Sequence, residues 1–534
     1  MNSRGAPTDA GKRRRRQFNG TPLLRVYTRL RARQLASEDT PAAQRRQLRR
    51  LLARARDTRF GRDHGFAGIA GIEDYQRAVP LRRWEDFWRD YWQAQFPRLA
   101  DCSWPGTIPY FAQTSGTTAG ITKYIPVTRE MVASNRRATL DLVTHHLVNR
   151  PRSRLFAGRN FMLGGSASLT ELAPGIWTGD LSGIAGKTVP AWARPFYFPP
   201  RHLETMADWE EKIAALAPAS LTVDIRALGG TPSWLLLFLQ KLAMLDPAAG
   251  RRLAAFYPNL ELLVHGGVSF APYRAAFAEW LTGTHAETRE VYPASEGFIA
   301  VADRGDGDGL RLVADNGLFF EFVPVDELGS NQPTRHWIGN AETGVNYAIV
   351  LSTCAGLWSY IIGDTVRFVG LRPPRLLVTG RTSYSLSAFG EHLIGEEMEQ
   401  AIAAAAAAIG AEIADWSVGA LYPASSDEPG GHLFIVEFSG AVPPPDALVR
   451  FAAVLDASLA EQNDDYRVHR SGGFGMRPPL VHPVPSGTFA GWMKRRGKLG
   501  GQNKVPRVIA EPALLDDLRA FAQAAQGGAG RRPE

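Results

Sequence analysis

Between residues 160 and 379, short apolar runs alternate with helical stretches, and this alternation constrains the fold more than any other feature of the chain. The runs are Asn160–Leu163, Leu260–Val264, Glu290–Tyr292, Leu318–Val323, Tyr347–Leu351, Val366–Val369 and Leu376–Thr379, most of them bounded by turn residues. Strands separated by helices in this way build an α/β domain. From about Leu48 to Trp92 the pattern is helical and rich in arginine. Thr128 is of the right type to cap a helix reaching Val148, in which Met131, Leu140, Val143 and Leu147 supply one broad apolar face.

Near Gly380 the texture changes to a short polar segment, followed by an alanine-rich stretch from Gly395 to Ile409. Alanine's helix propensity makes that stretch a packed helix rather than low complexity. Strand-like Trp416–Tyr422 and Leu433–Phe438, a helix from about Asp446 to Glu461 and a last helix after Pro512 then complete a compact α+β unit. A chain of 534 residues is too long for one ordinary core. The expected organisation is therefore a disordered basic tail over 1–20, a large α/β domain with mixed sheets and helices over 21–382, and a smaller carboxy-terminal α+β domain over 383–534.

The net charge of +8 is concentrated in part in Lys12-Arg13-Arg14-Arg15-Arg16. Basic runs near termini are commonly solvated, so neither nucleic acid nor a membrane is expected as a partner. The apolar stretch Trp234–Leu245 contains Gln240 and Lys241 and is too short to span a bilayer, which makes it a buried or amphipathic helix. Cys102 and Cys354 belong to no metal or disulfide pattern. With no signal-like apolar segment after the arginines, a cytoplasmic location is expected.

Three segments carry chemistry. Gln113 to Pro126 contains Thr114-Ser115-Gly116-Thr117-Thr118 and Lys123. Glycines and small hydroxyl residues let backbone N–H groups approach phosphate oxygens, and Lys123 adds charge. Its spacing is not that of a Walker A loop. Seen alone, the composition suits an ordinary surface turn equally well. Val291-Tyr292-Pro293-Ala294-Ser295-Glu296-Gly297 follows a strand; Glu296 is a hard oxygen ligand for magnesium and Tyr292 an aromatic face for adenine. Tyr360-Ile361-Ile362-Gly363-Asp364 ends an apolar run, and Asp364 suits the hydroxyls of a ribose. Strand-to-turn corners are the plain alternative for both. The order of the three, each at a strand end, favours a ligand crevice in an open α/β sheet.

With these residues in view, the chain resembles the adenylate-forming superfamily, and within it the Gretchen Hagen (auxin-responsive) family of acyl acid amido synthetases. Thr114–Pro126 resembles the phosphate motif, Tyr292–Glu296 the Y-x-x-S-E motif and Tyr360–Asp364 the Y-x-x-G-D motif. Gly380-Arg381 is similar to the hinge entry, and Gly390 through Glu399 to the segment opening a mobile small domain. Gly501-Gln502-Asn503-Lys504-Val505-Pro506-Arg507 resembles the Q-x-K-x-P-R signature. The resemblance implies that Lys504 reaches the α-phosphate and acyl carboxylate, and that Arg381 holds ribose or phosphate. It also implies that His265-Gly266-Gly267-Val268 lines the adenine and acyl pockets. ATP and magnesium are the implied cofactors. A small carboxylic acid is activated as its adenylate and passed to an amine, an amino acid in this family. Two positions depart from the pattern. Thr382-Ser383 replaces a charged hinge residue, and Ile361-Ile362 stands where an arginine is common, with Arg367 on the following strand as a substitute.

Two other functions compete. An acyl-CoA ligase shares the first step and differs in the acceptor. A non-catalytic nucleic-acid or scaffold protein would instead use the basic run and the arginines near Arg49, without consuming ATP. The acid itself is not encoded legibly: Trp177, Phe196 and Tyr197 wall an acyl pocket or are plain core. Oligomeric state is not legible either.

Overall fold

The computed structural model describes residues 18–115, 122–164, 168–206, 209–267, 270, 273–305, 307–382, 386, 391, 393–422, 430–463, 466–467, 470, 476–499, 504–509 and 511–528. Of the tail expected over 1–20, residues 1–17 lie outside the described residues, and the first described helix, α1, spans Thr21–Ala36. The second, α2, spans Thr40–Ala55, with Asp39 capping it by accepting from the Ala42 amide. Short helical turns follow through Trp92, as the arginine-rich pattern predicts.

The antiparallel hairpin of β1 (Tyr110–Ser115) and β2 (Thr122–Val127) begins a four-stranded sheet, in which β1 also pairs in parallel with Ile176–Gly179. The dominant element is a twelve-stranded mixed sheet. Residues 197–198, 159–163, 225–230, 262–266 and 287–294 run parallel, and 297–301, 310–312, 374–381, 360–371, 346–353, 318–324 and 336–337 continue it antiparallel. All seven strands expected from sequence lie in this sheet. The last of the parallel strands and its antiparallel partner form a hairpin, so the sheet changes character where Ala294 pairs with Gly297. The helix Arg129–Asn149 lies against this region, its first turn capped by Thr128, whose Oγ1 accepts from the Met131 amide at 3.0 Å and donates to the Cys354 carbonyl at 2.7 Å.

The third sheet, ordered 480–484, 431–438, 413–421, 508–509, belongs to the carboxy-terminal part of the chain. Its alanine-rich helix Gly395–Ile409 turns Ala401, Ala405 and Ala406 inward beside Phe451, Leu455 and Leu459 of the helix Pro445–Gln462. Small side chains permit that close approach. The helix Pro232–Leu245 buries Leu235, Phe238, Leu239 and Leu242 and leaves Leu237 and Met244 exposed, so it is amphipathic. No helix among the described residues is long and apolar enough to cross a membrane.

The Thr128 cap joins a helix start to a loop 226 residues away. Thr128→Ala is expected to lower unfolding free energy by about 1–2 kcal/mol, and Thr128→Ser to restore most of it, in urea denaturation followed by tryptophan fluorescence.

Candidate active site

The parallel strands of the large sheet all end on one side, and the second chemical motif follows the last of them. In the hairpin, Ser115 pairs with Thr122 and Thr114 with Lys123. Gly116, Thr117 and Thr118 lie outside the described residues, as does the Ser115 side chain. Thr114 is half-buried. Lys123 departs from its expected role: its ammonium pairs with Glu85 at 2.7 Å and lies 5.7 Å from the Trp84 ring centre. Its charge is therefore answered within the protein.

Tyr292, near the end of its strand, is buried, and its hydroxyl donates to Asp364 Oδ2 at 2.6 Å. Arg381, opposite Asp364 in the antiparallel register, brings Nε to 3.0 Å from Oδ1. Asp364 thus has one partner on each oxygen and spare lone pairs on both. Ser295 and Glu296 occupy the buried turn after Ala294, Pro293 remains exposed, and Gly297 completes the turn at φ +157°. A Cβ at Gly297 would lie 3.0 Å from Leu318.

Glu296 is 8% exposed. Burial pushes its carboxyl up to about 7, against hydrogen bonds from its own backbone and from the Tyr360 hydroxyl, while the negative charge of Asp364 pushes it further. Tyr360 is thus a site residue whose part was not legible: its apolar surroundings marked it as a strand residue, and only the sheet brings it to a carboxylate 64 positions earlier.

Lys504 arrives from the carboxy-terminal part of the chain. Its ammonium donates to the carbonyl of Gly267, just after the strand Leu262–Gly266. Gly267 has φ +86°, and a Cβ there would stand 3.3 Å from Lys504 Nζ, so glycine keeps the approach open. Protein crowds the ammonium, and this desolvation pulls it down to about 8; Asp364 opposes the shift, and Arg381 and Arg507 add to it. The side chain retains solvent access, so the cleft is not sealed around it. Gln502 and Asn503 of the same signature lie outside the described residues.

Arg507 anchors this segment. Its guanidinium donates to Asp415, to the Trp416 carbonyl at 2.8 Å and to the Tyr273 hydroxyl at 3.2 Å. The Pro506 carbonyl accepts from Ser417 and the Arg507 carbonyl from the Val418 amide. Arg367, expected to substitute for a missing phosphate or sugar contact, instead pairs with Glu396 at 2.8 Å, at the head of the alanine-rich helix. Gly380, at φ +145°, abuts Gly395 so closely that an added Cβ would meet it at 3.2 Å.

Of the aromatic trio, Phe196 packs on Phe156, and burial and Glu204 raise the Tyr197 hydroxyl above its ordinary range. Trp177 lines a cavity of about 250 Å³ with Lys187, Arg194, Arg201 and Glu204. The Lys187 ammonium lies 3.2 Å from its ring centre.

Against known proteins, residues 29–286 match the GH3 family N-terminal domain, 311–381 the GH3 family central domain and 396–513 the GH3 family C-terminal domain. The chain belongs to the GH3 family. It is 29% identical over 247 residues to the indole-3-acetic acid-amido synthetase GH3.8 of Oryza sativa subsp. indica, covering 43% of this chain and 40% of that one. With the indole-3-acetic acid-amido synthetase GH3.3 of Arabidopsis thaliana the identity is 24% over 278 residues, covering 49% and 46%. The chain thus spans less than half the length of these curated relatives. Among solved structures, the GH3.15 acyl acid amido synthetase superposes with a TM-score of 0.75 at 18% identity, over 95% of this chain and 96% of that one. A 2-hydroxyisobutyryl-CoA ligase in the postadenylation state follows at 0.59 and 17%, over 92% and 93%. These likenesses establish the fold, a large amino-terminal domain with a smaller carboxy-terminal one.

In the ligand-free GH3 chain, Glu296 is expected to titrate near pH 7 by carboxyl ¹³C NMR. Tyr360→Phe removes a bond to the charged form and should move the titration upward. Asp364→Asn removes a repulsive charge and should move it downward.

Proposed function

We propose that this GH3 chain uses ATP to convert a small carboxylic acid into its acyl-adenylate and then transfers the acyl group to an amine, an amino acid, giving an amide and AMP. The observation that carries this reading is the meeting of Lys504 with Gly267 beside Asp364 and Arg381, two of whose charges act on the lysine. The curated relatives, named amido synthetases, support the choice of acceptor. A solved GH3.15 acyl acid amido synthetase carries 2,4-DB as its bound ligand, which suits the choice of an acid as first substrate.

In the first step a carboxylate oxygen of the acid attacks the α-phosphorus of ATP and pyrophosphate leaves. Both reactants are negative, so the step depends on positive charge held in place. Lys504 supplies it from the small domain, and the Thr114–Pro126 segment, whose glycines and small hydroxyl residues suit phosphate, is the candidate for receiving the departing pyrophosphate. The remaining lone pairs of Asp364 accept the ribose hydroxyls, and Tyr292 and Arg381 keep that carboxylate oriented. Glycine at 363, at φ +92°, keeps the backbone beside it slim enough for a nucleotide. In the second step the amine nitrogen attacks the acyl carbon, its proton passes to solvent and AMP departs.

Magnesium fits the donor set as an ion carried mainly by phosphate oxygens. Glu296 is the carboxylate suited to it, and no group of three or more His, Cys, Asp or Glu gathers to cage a metal among the described residues. When bound, the ion screens the charge of the pyrophosphate leaving group. Glu296 must lose its proton to serve, so metal-dependent activity should rise as pH climbs through about 7. The Trp177 cavity, with three cations and one carboxylate on its wall, is the candidate pocket for the organic substrates.

Lys504→Ala is expected to slow acid-dependent ATP–pyrophosphate exchange by about 10²–10³-fold, as for loss of one group serving the transition state. Wild-type exchange in that variant would overturn the assignment. Asp364→Ala should weaken ATP binding by calorimetry roughly 10–100-fold. Product analysis with aryl and aliphatic acids, supplied with coenzyme A or mixed amino acids, decides the acceptor: a thioester without any amide would replace the proposed activity by that of an acyl-CoA ligase.

A further inference from the structure

The cavity beside Trp177 gathers more positive charge than its surroundings answer. Lys187, Arg194 and Arg201 are exposed on its wall. Among the described residues none of the three forms an ion pair with a carboxylate: Lys187 lies on the Trp177 ring, and Arg194 donates to the Gly186 carbonyl at 3.1 Å. Glu204, 7% exposed, is the one carboxylate on the wall, and it leaves the cations unspent. Its Oε1 has no hydrogen-bond partner among the described residues, and its bond is with the Tyr197 hydroxyl. Burial raises this carboxyl above its ordinary range, against the pull of Arg194, Lys212 and Arg201. Three cations converging on a cavity of about 250 Å³ favour an anion there.

The cavity lies on the edge of the sheet where Lys504 acts. Ser168 and Leu169 on its wall follow the strand 159–163, and Glu204 and Thr205 follow 197–198. Lys212 fixes this corner by donating to the Gly164 carbonyl, directly after the first of these strands, at 3.4 Å and to the Glu204 carbonyl at 3.2 Å. Strand 159–163 stands two places from 262–266, which leads into Gly267, so ordinary strand spacing sets their ends about 10 Å apart. The phosphate motif begins further off. Trp177 pairs with Tyr110, at the opposite end of β1 from Ser115, about 17 Å along the strand.

In the reaction proposed above, ATP is held through its ribose and α-phosphate by Asp364 and Lys504. The acid spends its carboxylate at the α-phosphorus, and an apolar remainder laid in this cavity would strip water from three charges. The amino acid keeps its α-carboxylate through both steps. One carboxylate leaves a cation over, whereas a second, on the side chain, answers all three. From the nitrogen of glutamate to its far carboxyl carbon is a span of about 5 Å. The new bond to the acyl carbon and a hydrogen bond at the far end add about 4.5 Å, which closes the gap between the strand ends.

We propose that the Trp177 cavity is the acceptor site and selects an acidic amino acid, aspartate or glutamate, with its two carboxylates on Lys187, Arg194 and Arg201. The assignment deepens the amide-forming activity proposed above and rests on it.

Calorimetric titration of the full chain with glutamate and with glutamine, alike in shape and different in charge, reads the cavity without the reaction. Glutamate should bind about 10–100-fold more tightly, and Arg201→Gln or Lys187→Gln should each cut that preference about tenfold with urea midpoints unmoved. Arg201→Lys should keep most of it. Product analysis with whichever acid gives the fastest ATP–pyrophosphate exchange should show the same ratio in kcat/KM for each acidic amino acid over its amide. Equal binding of glutamate and glutamine, or a preference that neither variant moves, overturns the proposal. So does acid-dependent exchange that falls in Arg201→Gln while the glutamate preference stays, which would give the cavity to the acid. Glutamate binding with the expected preference, alongside no amide from any acid, would uphold the amino-acid site and sink the amide-forming activity instead.

Discussion

The carboxylate of Asp364 is the point on which the arrangement of the site depends. It accepts from Tyr292 on one oxygen and faces Arg381 on the other, joining strands 287–294, 360–371 and 374–381 at the level where ligands reach an open sheet. Its negative charge also acts on two groups from separate elements, raising the Glu296 carboxyl and opposing the desolvation of Lys504. A half-buried charge is held by partners of fixed geometry, and here those partners are the residues that line the candidate cleft.

Among the described residues the two parts of the chain meet largely through polar contacts, with Leu499 packed on apolar clusters of both. Arg507 reaches from Asp415 and Trp416 to Tyr273, Arg367 pairs with Glu396, Lys494 with Glu210, and Arg251 with both Glu279 and Glu412. Most of these are surface or half-buried pairs, individually weak. Interfaces of this kind permit relative domain motion, which accords with the role proposed for Lys504. Gly380 against Gly395 shows the same economy: two residues without side chains let the strand that ends at Arg381 touch the start of the small domain's first helix.

Much of the site was legible because its chemistry is carried by short segments. The Tyr292–Glu296 motif closes a strand as expected, the Tyr360–Asp364 motif opens a strand rather than ending one, and Lys504 comes to the glycine turn at Gly267. What escaped was partner choice. Lys123 has the right residue type in the right hairpin, but Glu85, 38 positions earlier, takes its charge. Arg367 lies on the strand its sequence predicts, yet its guanidinium pairs with Glu396 of the small domain. Tyr360 belongs to a motif but carries no role legible in sequence; the folded sheet sets its hydroxyl on Glu296.

By itself, the sequence determined the kinds of element and the inventory of reactive groups: strands and helices alternating across the large domain, an alanine-rich helix from Gly395 to Ile409, and three carboxylate, lysine and glycine motifs in order. These follow from short-range physics, since periodicity, propensity and turn chemistry act over a few residues. Tertiary structure alone decided which charges meet, how far burial moves Glu296 and Lys504, and which face of α1 is left to water. Desolvation and Coulomb terms depend on neighbours hundreds of residues away, and only the folded packing supplies those neighbours.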